Sequence, residues 1–206
     1  ADLIDQQDKV RLLIDPTSSY AQAAAYAMGR AMDDVIISAA TGTAFTGETG
    51  SGTETAQTAI AANVGSTTGL NIDKLLKAKE KFDLASVDPS IQRYIVVGPE
   101  QMSNLLGTTQ VTSSDFNSVK ALVQGEVDTF LGFKFITSNR LAKGGNDRTC
   151  IAFAQDGITL AVGKDVSARI DERADKSYAT QVYYCMSIGA TRMEKEKVIG
   201  ITCTEA

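Results

Sequence analysis

The segment DPTSSYAQAAAYAMGRAMDDVIISAATG, residues 15–42, carries one long helical pattern. Asp15 supplies a capping acceptor, and Pro16 has the fixed φ that suits the first position of a helix. Apolar residues then recur at three- and four-residue intervals, namely Ala21, Ala24, Ala25, Met28, Met32, Val35, Ile36 and Ala39. The pattern predicts a helix of about 24 residues, roughly 36 Å long, that ends near Gly42. Its mostly alanine face lets neighbouring elements approach closely, so we expect a structural spine.

After this helix, residues 41–69 show little periodicity of apolar residues, and clearer helix and strand patterns follow them. Residues 41–69 are rich in Gly, Thr, Ala and Ser, which predicts a surface loop or loosely paired strands. Asn71 then offers a cap for an amphipathic helix to about Leu84. Further elements are predicted as a buried strand in RYIVVGP (93–99), a short helix over 100–106, and a helix capped by Ser113 or Ser114 that ends at Gly125.

The rest of the chain is rich in strand-like runs. These runs are LGFKFIT (131–137), TCIAFAQ (149–155), ITLAVG (158–163) and VIGITC (198–203), with a turn at KGGND (143–147). Between the last two runs, residues 165–193 alternate charged and apolar side chains and predict a long strand pair or a strand plus a bent segment. Helices come first and strands follow, which predicts an α+β fold rather than the regular alternation of a parallel α/β fold.

Composition limits the function classes that remain. The 206 residues are 43% hydrophobic, enough for a sizeable core, and the net charge is -5. Nucleic-acid binding relies on clustered Lys and Arg, so the acidic balance argues against tight binding by the body of the protein. The sequence has neither an apolar stretch of membrane-spanning length nor a charged-then-apolar leader, so we expect no membrane segment and no signal peptide. It begins without Met, which we interpret as the remainder of a longer product.

Cysteine and histidine content narrow the chemistry further. Cys150, Cys185 and Cys203 are an odd number at wide spacing, and we interpret them as reduced core thiols of a cytoplasmic product. The chain has no histidine. That excludes Ser-His-Asp and Cys-His catalysis, histidine zinc sites and the His-x-Glu deaminase signature.

Two segments come close to catalytic motifs. GITLAVGK (157–164) has five residues between its glycines where a phosphate-binding loop has four, and Asp165 replaces the Ser or Thr that holds magnesium. CMSIG (185–189) approaches a nucleophile elbow, but Cys185 stands in place of the first glycine. We interpret the first as a strand ending in a turn and the second as a buried strand.

Acidic pairs give no paired-carboxylate site. Asp33–Asp34 and Asp171–Glu172 are adjacent in sequence, and neighbours on a helix or strand do not face each other. We interpret them, like MEKEK (193–197), as solvated faces or inter-subunit ion pairs. The sequence therefore predicts no catalytic residue, no cofactor-binding residue and no metal ligand.

The order of elements resembles that of the major capsid proteins of tailed bacteriophages, which share the Hong Kong 97-type fold. The resemblance covers nearly the whole chain. It is carried by the spine helix in 15–42, by helix, strand and helix in 71–107, by KALVQGEVDTFLGFKFITSNRL (120–141), by the strands and long β-arm in 151–193, and by VIGITC as a last strand. It implies a peripheral domain (residues 1–68 and 160–195) and an axial domain (residues 69–159 and 196–206).

The resemblance also implies a function. We expect a structural subunit, not an enzyme, that assembles into hexamers and pentamers of an icosahedral capsid around double-stranded DNA, without a cofactor. The implied partners are copies of itself, with portal, scaffolding or decoration proteins as further candidates and no membrane. The implied location is the virion capsid, assembled in the host bacterial cytoplasm. A shell protein needs flat, self-complementary edges rather than a pocket, which fits a chain without reactive motifs.

Some points depart from the family or stay open. The family has an amino-terminal arm and an extended loop ahead of the spine, whereas only 15 residues precede Pro16, so we expect those parts to be absent from this chain. Two alternatives are an encapsulin-like nanocompartment shell and a small histidine-free α+β enzyme. Gly132 lies between large apolar residues of the predicted strand FLGFKFI (130–136), and we expect a side chain there to clash in the sheet or turn.

Overall fold

A computed structural model describes residues 2–4, 17–65, 67–107 and 129–205. In chain order the elements are β1 (Asp2–Ile4), α1 (Thr17–Thr41), β2 (Ala44–Thr46), β3 (Gly52–Glu54), β4 (Gln57–Ile60), α2 (Ile72–Leu84), β5 (Arg93–Val97), α3 (Pro99–Leu106), β6 (Thr129–Phe130), β7 (Phe133–Thr137), β8 (Lys143–Gly144), β9 (Asp147–Ala154), β10 (Ile158–Arg173), β11 (Ala179–Arg192) and β12 (Val198–Thr204). The predicted α+β class is confirmed. Asp15, Pro16 and the helix predicted to end at Gly125 lie outside the described residues.

The chain divides into two compact units. The smaller contains Ala1–Val35 and Leu160–Gly189, and the larger contains Ile36–Thr159 and Ala190–Ala206. Residues 36–68 and 190–195, which the resemblance assigned to a peripheral domain, group with the larger unit. The assignment of peripheral and axial domains stays a prediction.

The smaller unit contains a three-stranded sheet and most of α1. The strand order is β1-β11-β10, and β1 runs antiparallel to β11 with Ile4 opposite Thr180. A short 3-10 turn at Ala174–Lys176 and two residues with positive φ, Ser177 and Tyr178, reverse the chain between β10 and β11. The predicted long strand pair is therefore confirmed.

Helix α1 has 25 residues, close to the predicted length. Of the predicted apolar face, Ala24 and Met28 are buried and Ala25 is exposed, so the buried stripe is narrower than the sequence pattern. Ala40, which was not in the predicted set, is also buried. The helix ends where the Gly42 amide donates to the Ser38 carbonyl at 2.8 Å.

The larger unit is built on a seven-stranded sheet with the order β4-β12-β9-β5-β7-β6, and β8 pairs with β9. β9 runs antiparallel to both β12 and β5, while β5 and β7 are parallel. Helix α2 begins as predicted, since the Asn71 side chain accepts from the Lys74 amide at 2.9 Å. Fully buried side chains fill the core of this unit, among them Leu75, Phe82, Ile95, Phe133, Ile199 and Ile201.

Residues 41–69 are only partly the predicted loop. β2 and β3 form a two-stranded hairpin, which agrees with loosely paired strands. β4, however, joins the main sheet as a parallel neighbour of β12. Its sequence, QTAI, has little strand character, so its pairing depends on a partner about 140 residues away along the chain.

The predicted strand over residues 130–136 is instead a tight hairpin. Leu131 (φ 53°) and Gly132 (φ 85°) form the turn between β6 and β7. No heavy atom beyond the adjacent residues lies within 4 Å of the position that a Cβ on Gly132 would take. The expected clash is therefore wrong, and the glycine is needed for its backbone conformation.

Candidate functional site

The near-motifs of the sequence lie in ordinary strands. From Ile158 onwards GITLAVGK lies within β10, which continues to Arg173, so the predicted strand is confirmed but the turn expected at its end is wrong. CMSIG is continuous strand within β11. CMSIG is half-exposed rather than buried, which corrects the sequence interpretation. Asp33, Asp171 and Glu172 are exposed, in agreement with solvated faces.

The three cysteines are free thiols in two environments. Cys150 and Cys203 are buried on β9 and β12, as expected of core thiols. Cys185 on β11 is half-exposed, so the prediction was wrong for this residue. Cys185 lies on β11, in a three-stranded sheet. The neighbouring strand β10 is itself exposed, so little covers the Cys185 side chain.

Neither a metal site nor a membrane-spanning helix is found in the part of the chain that the structure describes. No group of three or more His, Cys, Asp or Glu side chains there is arranged to hold a metal ion. None of the described helices is long and apolar enough to cross a membrane.

The most distinctive surface is strand β10. Thirteen of its 16 residues are exposed. Large apolar side chains are among them, and we call the set Leu160, Val162, Val166 and Ile170 the arm surface. Val162 and Ile170 are each more than half exposed, at 53% and 52%. Isolated apolar residues on a surface are normal, but four along one strand form an unusual concentration.

β10 is also an edge strand. Among the described strands it pairs only with β11, so its other edge presents backbone N–H and C=O groups to solvent. Long exposed edges are ready to pair with or pack against another chain. The sequence did not reveal that β10 is exposed. Charged and apolar residues alternate in it, and this pattern normally indicates a strand with one buried face.

A buried arginine, Arg192, ties two parts of the larger unit together. It is 4% exposed, and its Nη1 donates to the carbonyls of Ala40 at 3.0 Å and Gly42 at 2.8 Å. Its Nη2 donates to the Glu54 carbonyl at 2.6 Å. The guanidinium thus satisfies carbonyls at the C-terminal end of α1, where a positive charge also complements the helix dipole, and holds the β2–β3 hairpin against that end.

A buried lysine, Lys74, has a similar role at the start of α2. Its Nζ donates to the carbonyls of Thr68 at 2.7 Å, Gly69 at 2.8 Å and Thr202 at 3.0 Å. Burial lowers the pKa of this ammonium group, while the nearby Cys203 acts in the opposite direction. The sequence contained no signal for this role, since Lys74 is one of four lysines in an amphipathic helix and lysines there normally face solvent.

An ion-pair cluster holds the end of β12. Glu205 is 7% exposed and accepts hydrogen bonds from Arg148, Lys143 and Gln101. These donors, Arg148 first, lower the pKa of Glu205 to about 2. The buried side chains of Arg192, Lys74 and Glu205 thus form their hydrogen bonds with other groups of the same fold, which is typical of a structural scaffold.

A family model described as phage capsid protein matches residues 1–205. The chain belongs to this family. No curated protein matches the capsid chain in a sequence comparison.

Solved phage structures share the fold of this capsid protein. A chain from Mycobacterium phage Che8 is 21% identical, with a TM-score of 0.68 over 97% of this chain and 68% of that one. The capsid structure of cyanophage P-SCSP1u gives a TM-score of 0.73 at 18% identity, over 100% and 71% of the two chains. The cyanophage Pam1 capsid gives 0.72 at 15% identity, over 100% and 73%. The predicted Hong Kong 97-type capsid fold is confirmed.

Family membership also decides between the functional alternatives. The protein is a structural capsid subunit located in the virion capsid, and not an enzyme. The nanocompartment shell and the small histidine-free enzyme are not favoured. The exposed arm surface and the buried Arg192, Lys74 and Glu205 are features of a rigid building block rather than of a catalytic pocket.

Proposed function

We propose that copies of this capsid protein assemble into hexamers and pentamers of an icosahedral tailed-phage head that encloses double-stranded DNA. The observation that carries the proposal is β10, an edge strand with 13 of 16 residues exposed and four large apolar side chains. A strand with so little burial gains stability when another surface covers it. In a closed shell, symmetry supplies that surface from a second copy.

The domains have separate parts in this proposal. The peripheral domain (residues 1–68 and 160–195) contains the arm surface and contacts neighbouring subunits along its edges. The axial domain (residues 69–159 and 196–206) contacts neighbours through its loops. Most of the buried core lies in residues 70–154 and 198–203, which supports a separate axial domain, although Ala40 and Ile60 from the peripheral part also pack into that core.

Further partners follow from the same role. Portal, scaffolding or decoration proteins join the shell, and assembly takes place in the host bacterial cytoplasm. The packaged DNA is enclosed without sequence-specific binding. The net charge of -5 supports this, because a wall that does not bind phosphates leaves the polymer free to move during packaging.

Electron microscopy of the full-length product expressed in bacteria tests the proposal directly. Closed shells of uniform diameter are the expected result. A persistent monomer, with no larger species in lysates or in native virions, would contradict it.

A variant pair tests whether the arm surface is the contact. Val162→Glu or Ile170→Glu would bury a carboxylate in the interface, and we expect the concentration needed for assembly to rise about tenfold or more. Leu84→Glu makes the same change at a 77% exposed leucine of α2 and serves as the matched control. Sedimentation velocity measures the assembled fraction. Equal impairment by Leu84→Glu would show that the contact is not specific to the arm surface.

A further inference from the structure

Strand β10 carries exposed charges of both signs, namely Lys164, Asp165, Arg169, Asp171 and Glu172. Arg169 forms no ion pair with any residue that the structure describes. The Asp165 Oδ1 accepts from the Val166 amide at 2.7 Å, which leaves Oδ2 for a further donor. Asp165 and Arg169 are four residues apart on one strand, about 13 Å, so they cannot pair within one copy. A contact between copies can bring them together.

The open edge of β10 limits how a second copy can pair with it. A contact between identical edges is self-complementary about a two-fold axis, and the two strands then run antiparallel. Such an axis stands perpendicular to the sheet and keeps each face of the sheet on its own side. Because successive side chains of a strand alternate between the faces, the axis must pass through a residue rather than between two residues.

The charges of β10 favour one position for the axis. With the axis at Ser167, Asp165 of each copy lies opposite Arg169 of the other, and no like charges face each other over residues 161–173. Opposite charges directly across an antiparallel strand pair stabilise it, and like charges destabilise it. This register therefore gains two ion pairs without a repulsive contact.

Other positions of the axis match the charges less well. An axis at Ala168 sets Asp165 opposite Asp171, and an axis at Arg169 sets two arginines together. An axis one residue before Ser167 brings no opposite charges face to face. An axis one residue after Arg169 matches that arginine with Asp171 but pairs only residues 167–173 of β10.

Apolar side chains near the axis also meet in the Ser167 register. Val166 lies opposite Ala168 of the second copy, and Ile170 of the second copy is a diagonal neighbour of Val166. Val166 and Ile170 are 42% and 52% exposed in the single chain. Strand pairing therefore covers apolar surface that one copy leaves in water.

We propose that two copies pair their β10 strands antiparallel about a two-fold axis at Ser167, so that their three-stranded sheets become one continuous sheet. Backbone hydrogen bonds occupy the open edge, and the two Asp165–Arg169 ion pairs fix the register. This pairing rests on the proposed function and deepens it, since it names the surface of the second copy that covers most of the arm surface. A closed icosahedral shell contains two-fold axes on which such a contact can lie.

A disulfide trap at the axis tests the pairing in shells of the full-length product expressed in bacteria. Ser167→Cys places two thiols opposite each other, with Cα atoms about 4.5–5.5 Å apart, within the range that a disulfide spans. Cys185→Ser is the background, because Ser167 lies 3.1 Å from the Cys185 sulfur, which would compete. After oxidation with copper–phenanthroline, a non-reducing gel should show covalent dimers.

Thr159→Cys in the same background is the matched control for the trap. Thr159 is also exposed on β10, but in this register it lies about 50 Å from its counterpart, so this variant should stay monomeric on the gel. Lys176→Cys tests a different contact, at the turn between β10 and β11. It should also stay monomeric.

A charge exchange tests the register. Asp165→Arg sets two arginines opposite each other on both sides of the axis, and the concentration needed for assembly should rise about tenfold. Adding Arg169→Asp restores opposite charges, and that concentration should return to within about threefold of the native value. Glu48→Arg makes the same charge change at an exposed acid outside β10 and should leave assembly unchanged. Sedimentation velocity measures the assembled fraction.

The outcomes distinguish this pairing from the shell itself. Closed shells whose Ser167→Cys subunits stay monomeric would overturn the pairing and leave the proposed function intact. Cross-linking through Lys176→Cys instead, or no recovery in the double charge variant, would overturn it as well. Dimers trapped by Ser167→Cys without any closed shell would support the pairing and contradict the proposed function.

Discussion

At the scale of the residue, Gly132 has a backbone conformation that glycine adopts at low cost. Its φ of 85° is outside the range that side chains tolerate easily, although the space around it is open. We expect Gly132→Ala to lower the free energy of unfolding by about 1–2 kcal/mol, and Gly132→Val by more because valine is β-branched. Urea denaturation measures the change.

Gly144 is the matched control for this substitution. It also has open space where a Cβ would lie, but its φ is not positive. Gly144→Ala should therefore change the free energy of unfolding by less than about 0.5 kcal/mol. Equal costs at the two positions would show that backbone conformation is not the reason for glycine at 132.

Glu205 gives the protein a pH-dependent contribution to stability. Its pKa falls from an ordinary value of 4.5 to about 2 in the folded chain, mainly because Arg148 donates to it. Because the folded chain favours the ionised carboxylate, Glu205 contributes to the free energy of unfolding in full above pH 4.5. That contribution is lost as the pH falls through about 2 and the carboxylate is protonated. Glu205→Gln should therefore be less stable than the native chain at pH 7, with the difference disappearing near pH 2.

Acid titration followed by circular dichroism measures this effect. Glu80→Gln, at an exposed carboxylate of α2, serves as the control and should leave the acid transition in place. If Glu205→Gln and the native chain keep the same difference in stability from pH 7 to pH 2, the ion-pair cluster does not stabilise the fold.

At the scale of the element, Arg192 determines how α1 ends. Without the guanidinium, the carbonyls of Ala40, Gly42 and Glu54 lose a buried donor. We expect Arg192→Met to lower the free energy of unfolding by about 2–4 kcal/mol, since each buried acceptor left without a partner costs about 1–3 kcal/mol and water reaches part of the site. Thermal unfolding measures the loss.

The controls for Arg192 distinguish charge from hydrogen-bond geometry. Arg192→Lys keeps the positive charge but cannot donate in two directions from a planar group, so only partial recovery is expected. Lys195→Met removes a nearby exposed cation and should have little effect. If Arg192→Met and Lys195→Met have the same free energy of unfolding, the buried hydrogen bonds of Arg192 contribute nothing to stability.

At the scale of the whole molecule, the acidic balance predicts weak binding of DNA. The net charge is -5, and lysine and arginine provide only 20 of the 206 residues. We expect no complex with duplex DNA in a gel-shift experiment at 150 mM salt, since neutralisation of phosphates drives such binding.

A charge-reversal variant provides the comparison. Asp33→Lys, Glu48→Lys and Glu80→Lys together change three exposed acids and make the net charge slightly positive. This variant should bind DNA measurably as salt is lowered. Tight binding by the native chain at 150 mM salt would contradict the proposed passive lining.

The sequence by itself determined the elements whose signals are local. The span of α1, the Asn71 cap of α2 and the strands β5, β9 and β12 follow from periodicity, capping chemistry and apolar runs, each read within a few residues. The same local order carried the resemblance to phage capsid proteins. The absence of histidine, visible in composition alone, had already excluded the catalytic arrangements and zinc sites that depend on histidine.

Only the tertiary structure decided the features that depend on distant partners. The pairing of β4 with β12, the burial of Lys74 and Arg192, and the exposure of Cys185 and the arm surface all depend on distant parts of the chain. A sequence pattern states which side chains favour burial, but burial itself is a property of the neighbours that the fold brings together. A charged side chain becomes buried where several carbonyls converge, and an apolar strand stays exposed where the chain supplies nothing to cover it.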